Sequence, residues 1–191
     1  HHRLALRQQA SMTSSPDFAQ RLRVCRWGAI LALFTVLVGF ALGGVFGAFE
    51  DTLKADLSAL AETGRDSVYG GDDAKMKSVV EKSWAYYKRA HLHGGGIGAA
   101  ALSAILLLAS LRRPRALARR GLALALGLGG LGYTTFWLLA ARRAPGLGST
   151  HAAKESLSWL AVPSAGLLLL GLTTVLVLTA IELFAPEPQT R

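Results

Sequence analysis

The stretch at residues 91–111, HLHGGGIGAAALSAILLLASL, decides the fold. From Gly94 to its end it carries no charged side chain. A run of about 20 apolar residues crosses roughly 30 Å of hydrocarbon as a helix. Three further runs have the same character, at 27–49, 121–141 and 159–184, so spans are expected there and at 92–111. An even number of spans folds the chain back and forth. The fold class expected is all-α: an integral membrane four-helix bundle with both termini cytoplasmic and a helical outer (periplasmic) extension between spans one and two.

Composition agrees. A chain of 191 residues that is 51% hydrophobic, with mean hydropathy +0.35, is too apolar for an ordinary soluble domain. Its charges avoid the spans, as backbone and side chains in lipid require. One membrane domain at 27–185 accounts for nearly all of it, with a basic cytoplasmic segment at 1–26, an outer helical loop at 50–90 and a short tail at 186–191. Met12 reads as a natural start, and residues 1–11, with His1 and His2, are left out of the functional reading. No cleavable leader is expected, because the first apolar run is long enough to span.

The net charge of +9 and pI near 10.3 could suggest nucleic acid, but the placement of the charge argues against it. Arg21, Arg23 and Arg26 precede span one, and Arg112, Arg113, Arg115, Arg119 and Arg120 crowd the short link between spans two and three. The loop at 50–89 instead sets eight acids against seven bases. Short basic loops stay in the cytoplasm, so the excess is a topology signal, with attraction to anionic lipid as a secondary effect. The location expected is the bacterial inner membrane. The partners expected are the lipid bilayer and other membrane subunits or further copies of the chain, without nucleic acid. The single Cys25 excludes an intramolecular disulfide, a CxxCH haem attachment and a thiolate zinc site.

Small residues mark packing faces. Gly39, Gly43 and Gly47 recur at four-residue spacing on span one, and Gly94, Gly95 and Gly98 open span two, where helices can approach closely. The run from Gly94 to Ala101 leaves a hollow beside the histidines, to be filled by a neighbouring helix or a flat cofactor. In the outer loop, Leu53, Leu57 and Leu60 recur at helical spacing. Gly70-Gly71 breaks the chain, and Asp72-Asp73 caps a long helix that runs to Leu111. Met76, Val79, Val80, Trp84 and Tyr87 form its stripe. Trp84, Tyr86 and Tyr87 before Lys88-Arg89 read as an interfacial belt, or else as a docking surface for a periplasmic partner. Thr150 is the cap expected for span four, Pro163 a site for a kink, and Glu182 a snorkelling charge.

The chemistry-bearing residues lie at one end of the spans. Glu50 and Asp51 end span one, His91 and His93 open span two, and His151 and Glu155 stand before span four. His151 and Glu155, at i and i+4, share a face. His91 and His93 are about 200° apart on a helix, so at most one is expected to face the bundle interior, with a slight preference for the deeper His93. The candidate ligand set is therefore His91, His93, His151, Glu155 and Glu50, and such donors suit haem b, copper or zinc.

The layout Gly43-Gly44-Val45-Phe46 with an acidic turn ending span one, then His91-Leu92-His93 opening span two, resembles a group of small uncharacterised four-helix bacterial membrane proteins. It is also similar to the histidine-bearing helices of haem–copper oxidase and nitric oxide reductase core subunits. The second resemblance implies haem or copper ligation by His91 or His93. Two functions follow from the residues: a non-catalytic structural or accessory subunit of a membrane complex, or a haem- or metal-binding subunit for electron transfer at the outer face. Transport is disfavoured, since no acid or base lies mid-membrane. No nucleotide loop, nucleophile–base pair or HExxH motif points to an enzyme acting alone.

Overall fold

The structure, a computed structural model, describes residues 17–185. The start expected at Met12 and the tail at 186–191 lie outside them. Among the described residues the chain is wholly helical: α1 (Phe18–Val24), α2 (Arg26–Glu62), α3 (Asp73–Ser110), α4 (Ala116–Leu147), α5 (Thr150–Glu155) and α6 (Ser158–Phe184). Helices α2, α3, α4 and α6 are each long and apolar enough to cross a membrane, the pattern of a multi-pass membrane protein. Their large apolar side chains point outward, with Leu37, Phe40, Leu169, Leu170 and Leu176 each more than 60% exposed. Inside, glycine and alanine dominate.

Helix α4 is the hub. It packs along α3 and α2 on one side and along α6 on the other, while α6 has only slight contact with α3. The face α4 buries runs through Ala123, Leu126, Gly130, Thr134, Trp137, Ala141 and Ala144, one per helical turn. Helix α6 buries only Ser164, Leu168, Gly171 and Val175. The bundle is thus three closely packed helices with a fourth laid against one of them.

Helices α2 and α3 continue past the spans as a hairpin. The helical spacing of Leu53, Leu57 and Leu60 is realised as a continuation of span one, since α2 runs through to Glu62 with one departure from helical dihedrals at Phe49 (φ −131°, ψ 27°). Gly70 and Gly71 take positive φ at the turn, and the Asp72 carboxylate accepts from the Lys75 N–H at 2.9 Å, capping α3 as its sequence predicts. Trp84 does not sit in a belt. It is buried against Phe46 and Leu57 inside the hairpin, with the Phe46 ring 5.4 Å away edge-on.

The hairpin turn is locked onto α4. Tyr69 is buried, and its hydroxyl donates to the Pro145 carbonyl at 2.6 Å. That carbonyl lies in the last turn of α4, where it otherwise accepts only the Gly148 N–H at a longer 3.3 Å. Gly148 closes the helix in the left-handed region (φ 61°), and any side chain there would strike Val68. Tyr69→Phe is expected to cost about 1–2 kcal/mol, read as a shift in the unfolding midpoint in detergent. Burial raises the Tyr69 phenol above its usual value. The neutral form is therefore favoured by folding, and its contribution is whole below about pH 10 and lost as pH rises through the raised value. The wild-type midpoint should fall faster above pH 10 than that of Tyr69→Phe.

The opposite end is pinned by charge. Arg119 is 3% exposed, and its guanidinium donates to the carbonyls of Leu108, Leu111 (3.0 Å) and Pro114 (3.1 Å) at the end of α3. Arg21 Nε adds a hydrogen bond to the Ala109 carbonyl at 2.8 Å. Glu182 does not snorkel. Its carboxylate accepts from the Arg112 N–H at 2.7 Å and the Arg113 N–H at 3.3 Å, tying α6 to the link after α3.

Candidate functional site

The geometry around the histidines begins with a backbone crossing. At Gly39 and Gly94, α2 and α3 touch without side chains between them: a Cβ on Gly94 would stand 2.7 Å from the Gly39 Cα. One turn deeper, a Cβ on Gly98 would stand 2.8 Å from the Val36 nitrogen. The hollow expected beside the histidines is therefore filled by α2. Gly47 takes no part in this, and the Cβ positions of Gly47 and Gly95 are both open, although the Gly95 backbone nitrogen itself lies against Gly39. Both look outward because α2 and α3 meet along one narrow line.

His91 lies just above that crossing. Its Nδ1 is 2.7 Å from the Gly39 carbonyl oxygen. A carbonyl only accepts, so Nδ1 carries the proton and, in the neutral ring, Nε2 keeps the lone pair. The ring lies across Gly43, where a Cβ would come within 2.6 Å of Cε1, and Phe46 meets it edge-on at 6.3 Å. Gly43 thus serves as the recess for an imidazole.

His93 faces the other way. Its ring packs against Tyr133 (5.4 Å) and Trp137 (6.0 Å) of α4. Phe136 and Tyr86 complete the cluster, and the Arg89 guanidinium lies 4.5 Å from the centre of the Trp137 ring. Trp137 Nε1 is buried there without a hydrogen-bond partner. The expectation that at most one of the two histidines faces inward is corrected by the packing. Helix α3 packs against α2 along one side and α4 along another, so each of the two imidazoles meets a neighbouring helix.

The remaining candidates are not brought to this place. Ser149, not Thr150, caps the next segment, accepting from the Ala152 N–H at 3.2 Å. His151 and Glu155 lie on the separate short helix α5, because the chain leaves helical geometry at Leu157, whose side chain is buried against the Tyr86–Phe136–Trp137 cluster. The two do pair, His151 Nδ1 to Glu155 at 3.3 Å, but with side chains 76% and 70% exposed. Glu50 is exposed on α2 and engages Lys54.

The structure therefore joins His91 to Gly39 and Gly43, His93 to the rings of α4, and His151 to Glu155, in three places. Among the described residues no group of three or more histidine, cysteine or acidic side chains is placed to hold a metal ion. His91, His93 and His151 thus face three different sets of neighbours. Two threonines buried in the spans serve the backbone: Thr35 donates to the Leu31 carbonyl and Thr134 to the Gly130 carbonyl.

Sequence reasoning missed Arg119. A signal was available, since Arg119 stands four residues before Ala123 and so continues the small-residue stripe of α4, whereas Arg115 and Arg120 fall off it. No family model, curated protein or solved structure matches the chain, so its functional reading rests on this geometry.

Proposed function

We propose that the chain is a non-catalytic structural or accessory subunit of a bacterial inner-membrane complex, with its termini in the cytoplasm and its hairpin outside. The observation that carries this reading is the hairpin itself. It extends beyond the spans as a body held by the Tyr69 lock and the Phe46–Trp84–Leu57 packing. One side carries a groove of about 580 Å³ lined by Lys54, Met76, Lys77, Val80, Glu81 and Trp84, among others. An apolar floor with charges of both signs at its rim suits a protein partner. The orientation draws support from the arginines at the other end, where among the described residues Glu182 and Asp17 are the acids present against Arg21, Arg23, Arg26, Arg112, Arg113, Arg115, Arg119 and Arg120.

A haem- or metal-binding electron-transfer subunit is the second reading, and His91 favours it. A backbone carbonyl holding Nδ1–H while Nε2 keeps its lone pair is the usual arrangement of a ligating imidazole. The two readings separate in one preparation, the tagged chain expressed at native level and extracted in native-membrane discs. The expected result is a colourless assembly with a partner in fixed stoichiometry, which Val80→Asp in the groove dissociates while leaving the helical signal intact. A Soret band abolished by His91→Ala would overturn the accessory reading in favour of the second. A colourless chain without a stoichiometric partner would overturn both.

A further inference from the structure

At the end of the bundle that holds the termini, Arg23, Arg26 and Arg120 surround an open pocket of about 410 Å³. Its other walls are Val24, Trp27, Ala116 and Leu117. No acid lines it, and among the described residues none of the three arginines has a carboxylate partner. Three like charges around one space repel one another unless an anion sits between them.

The pocket does not open only to water. Trp27 is 53% exposed and Leu117 82% exposed beside the guanidiniums. From Trp27 the outward face of α2 continues at helical spacing through Ile30, Phe34 and Leu37. These three, with Leu33, Val36 and Phe40, line an apolar furrow of about 510 Å³. From Ile30 to Phe40 a helix rises about 15 Å, half the thickness of a hydrocarbon core of roughly 30 Å. A cationic pocket thus adjoins an apolar track of one leaflet's depth.

We propose that this is a binding site for an anionic phospholipid, with its phosphate among Arg23, Arg26 and Arg120 and an acyl chain along the α2 furrow. The furrow decides for a lipid over a free anion, because inorganic phosphate has no use for it. The pocket also differs from general attraction of basic loops to the membrane surface. Arg112, Arg113 and Arg115 belong to the same end yet do not line it.

The test is native mass spectrometry of the full chain in detergent, titrated with phosphatidylglycerol or phosphatidylcholine. Phosphatidylglycerol should be retained at one per chain and phosphatidylcholine much more weakly. Arg120→Gln should weaken the first by about fivefold, and the triple variant R23Q/R26Q/R120Q by roughly a hundredfold. Arg142→Gln with Arg143→Gln, at the hairpin end, should change nothing. Quenching of wild-type tryptophan fluorescence by brominated phosphatidylglycerol gives a second readout, expected to fall in Trp27→Phe, which keeps all the arginines. Equal retention of the two lipids, full affinity in the triple variant, or quenching indifferent to Trp27 would overturn the site. Displacement of the lipid by excess inorganic phosphate would overturn the lipid assignment in favour of a free-anion site.

Discussion

Arg119→Met is expected to destabilise the chain by about 3 kcal/mol or more, seen as a lower midpoint when unfolding is followed by circular dichroism in detergent. The guanidinium is buried and serves three carbonyls, those of Leu108, Leu111 and Pro114. Methionine matches its stem but leaves these acceptors without the guanidinium, two of them in buried hydrogen bonds. It also removes a cation from the C-terminal end of α3, where the helix dipole favours one. Lysine should not restore stability, because a single ammonium cannot span three acceptors as a planar fork does. The neighbouring Arg120→Gln, exposed and off the packed face, should unfold like wild type. A midpoint for Arg119→Met equal to that of Arg120→Gln would show that the carbonyl cap does not stabilise the bundle.

Arg119 also shows where the sequence was legible and where it was not. The four long helices could be read directly, because runs of apolar side chains near Leu37 or Leu170 have one physical solution in lipid. The start of α3 was equally readable, since Gly70-Gly71 and Asp72 combine positive φ with a capping carboxylate. What a charge does near a helix end was harder. Arg119 and Glu182 look like any interfacial charges, but each falls in phase with the buried stripe of its helix and ends up bonding backbone at the bundle end. Phase, not proximity to the membrane edge, separates a capping charge from a snorkelling one.

The histidines were harder for a different reason. Helical rotation correctly separated His91 from His93, and both faces of α3 carry small residues below them. Which partner covers each face depends on the order of helices in space, which no local pattern encodes. Once α4 takes the hub position, His91 goes to α2 and His93 to the aromatic side chains of α4. With Thr150 expected as the cap of span four, His151 reads as part of the helix leading into that span, because nothing between Lys154 and Ser158 reads as a breaker. The break comes from tertiary packing, with Leu157 drawn into the cluster around Phe136.

The α2–α3 crossing carries the second large effect. Gly39→Val is expected to cost about 3–4 kcal/mol, combining overpacking with the loss of a buried hydrogen bond. A side chain at Gly39 would run into the backbone of Gly94 and Gly95, which cannot rotate away. The helices must separate, and His91 Nδ1 then loses the Gly39 carbonyl it holds at 2.7 Å. Two readouts should move together: the unfolding midpoint, and the imidazole nitrogen signals in NMR of ¹⁵N-histidine-labelled protein. In wild type these should report a proton fixed on Nδ1, and in Gly39→Val a mixture of tautomers, since Nε2–H is the form favoured by a free ring. Gly47→Val supplies the contrast. It lies on the same helix at the same spacing with open space beside its Cβ position, so it should be neutral or slightly stabilising, valine being the better helix former. Equal losses at Gly39 and Gly47 would mean that glycine matters here through the helix backbone alone. A loss confined to Gly39, with the His91 tautomer changing alongside it, would tie the imidazole and the helix crossing into one unit.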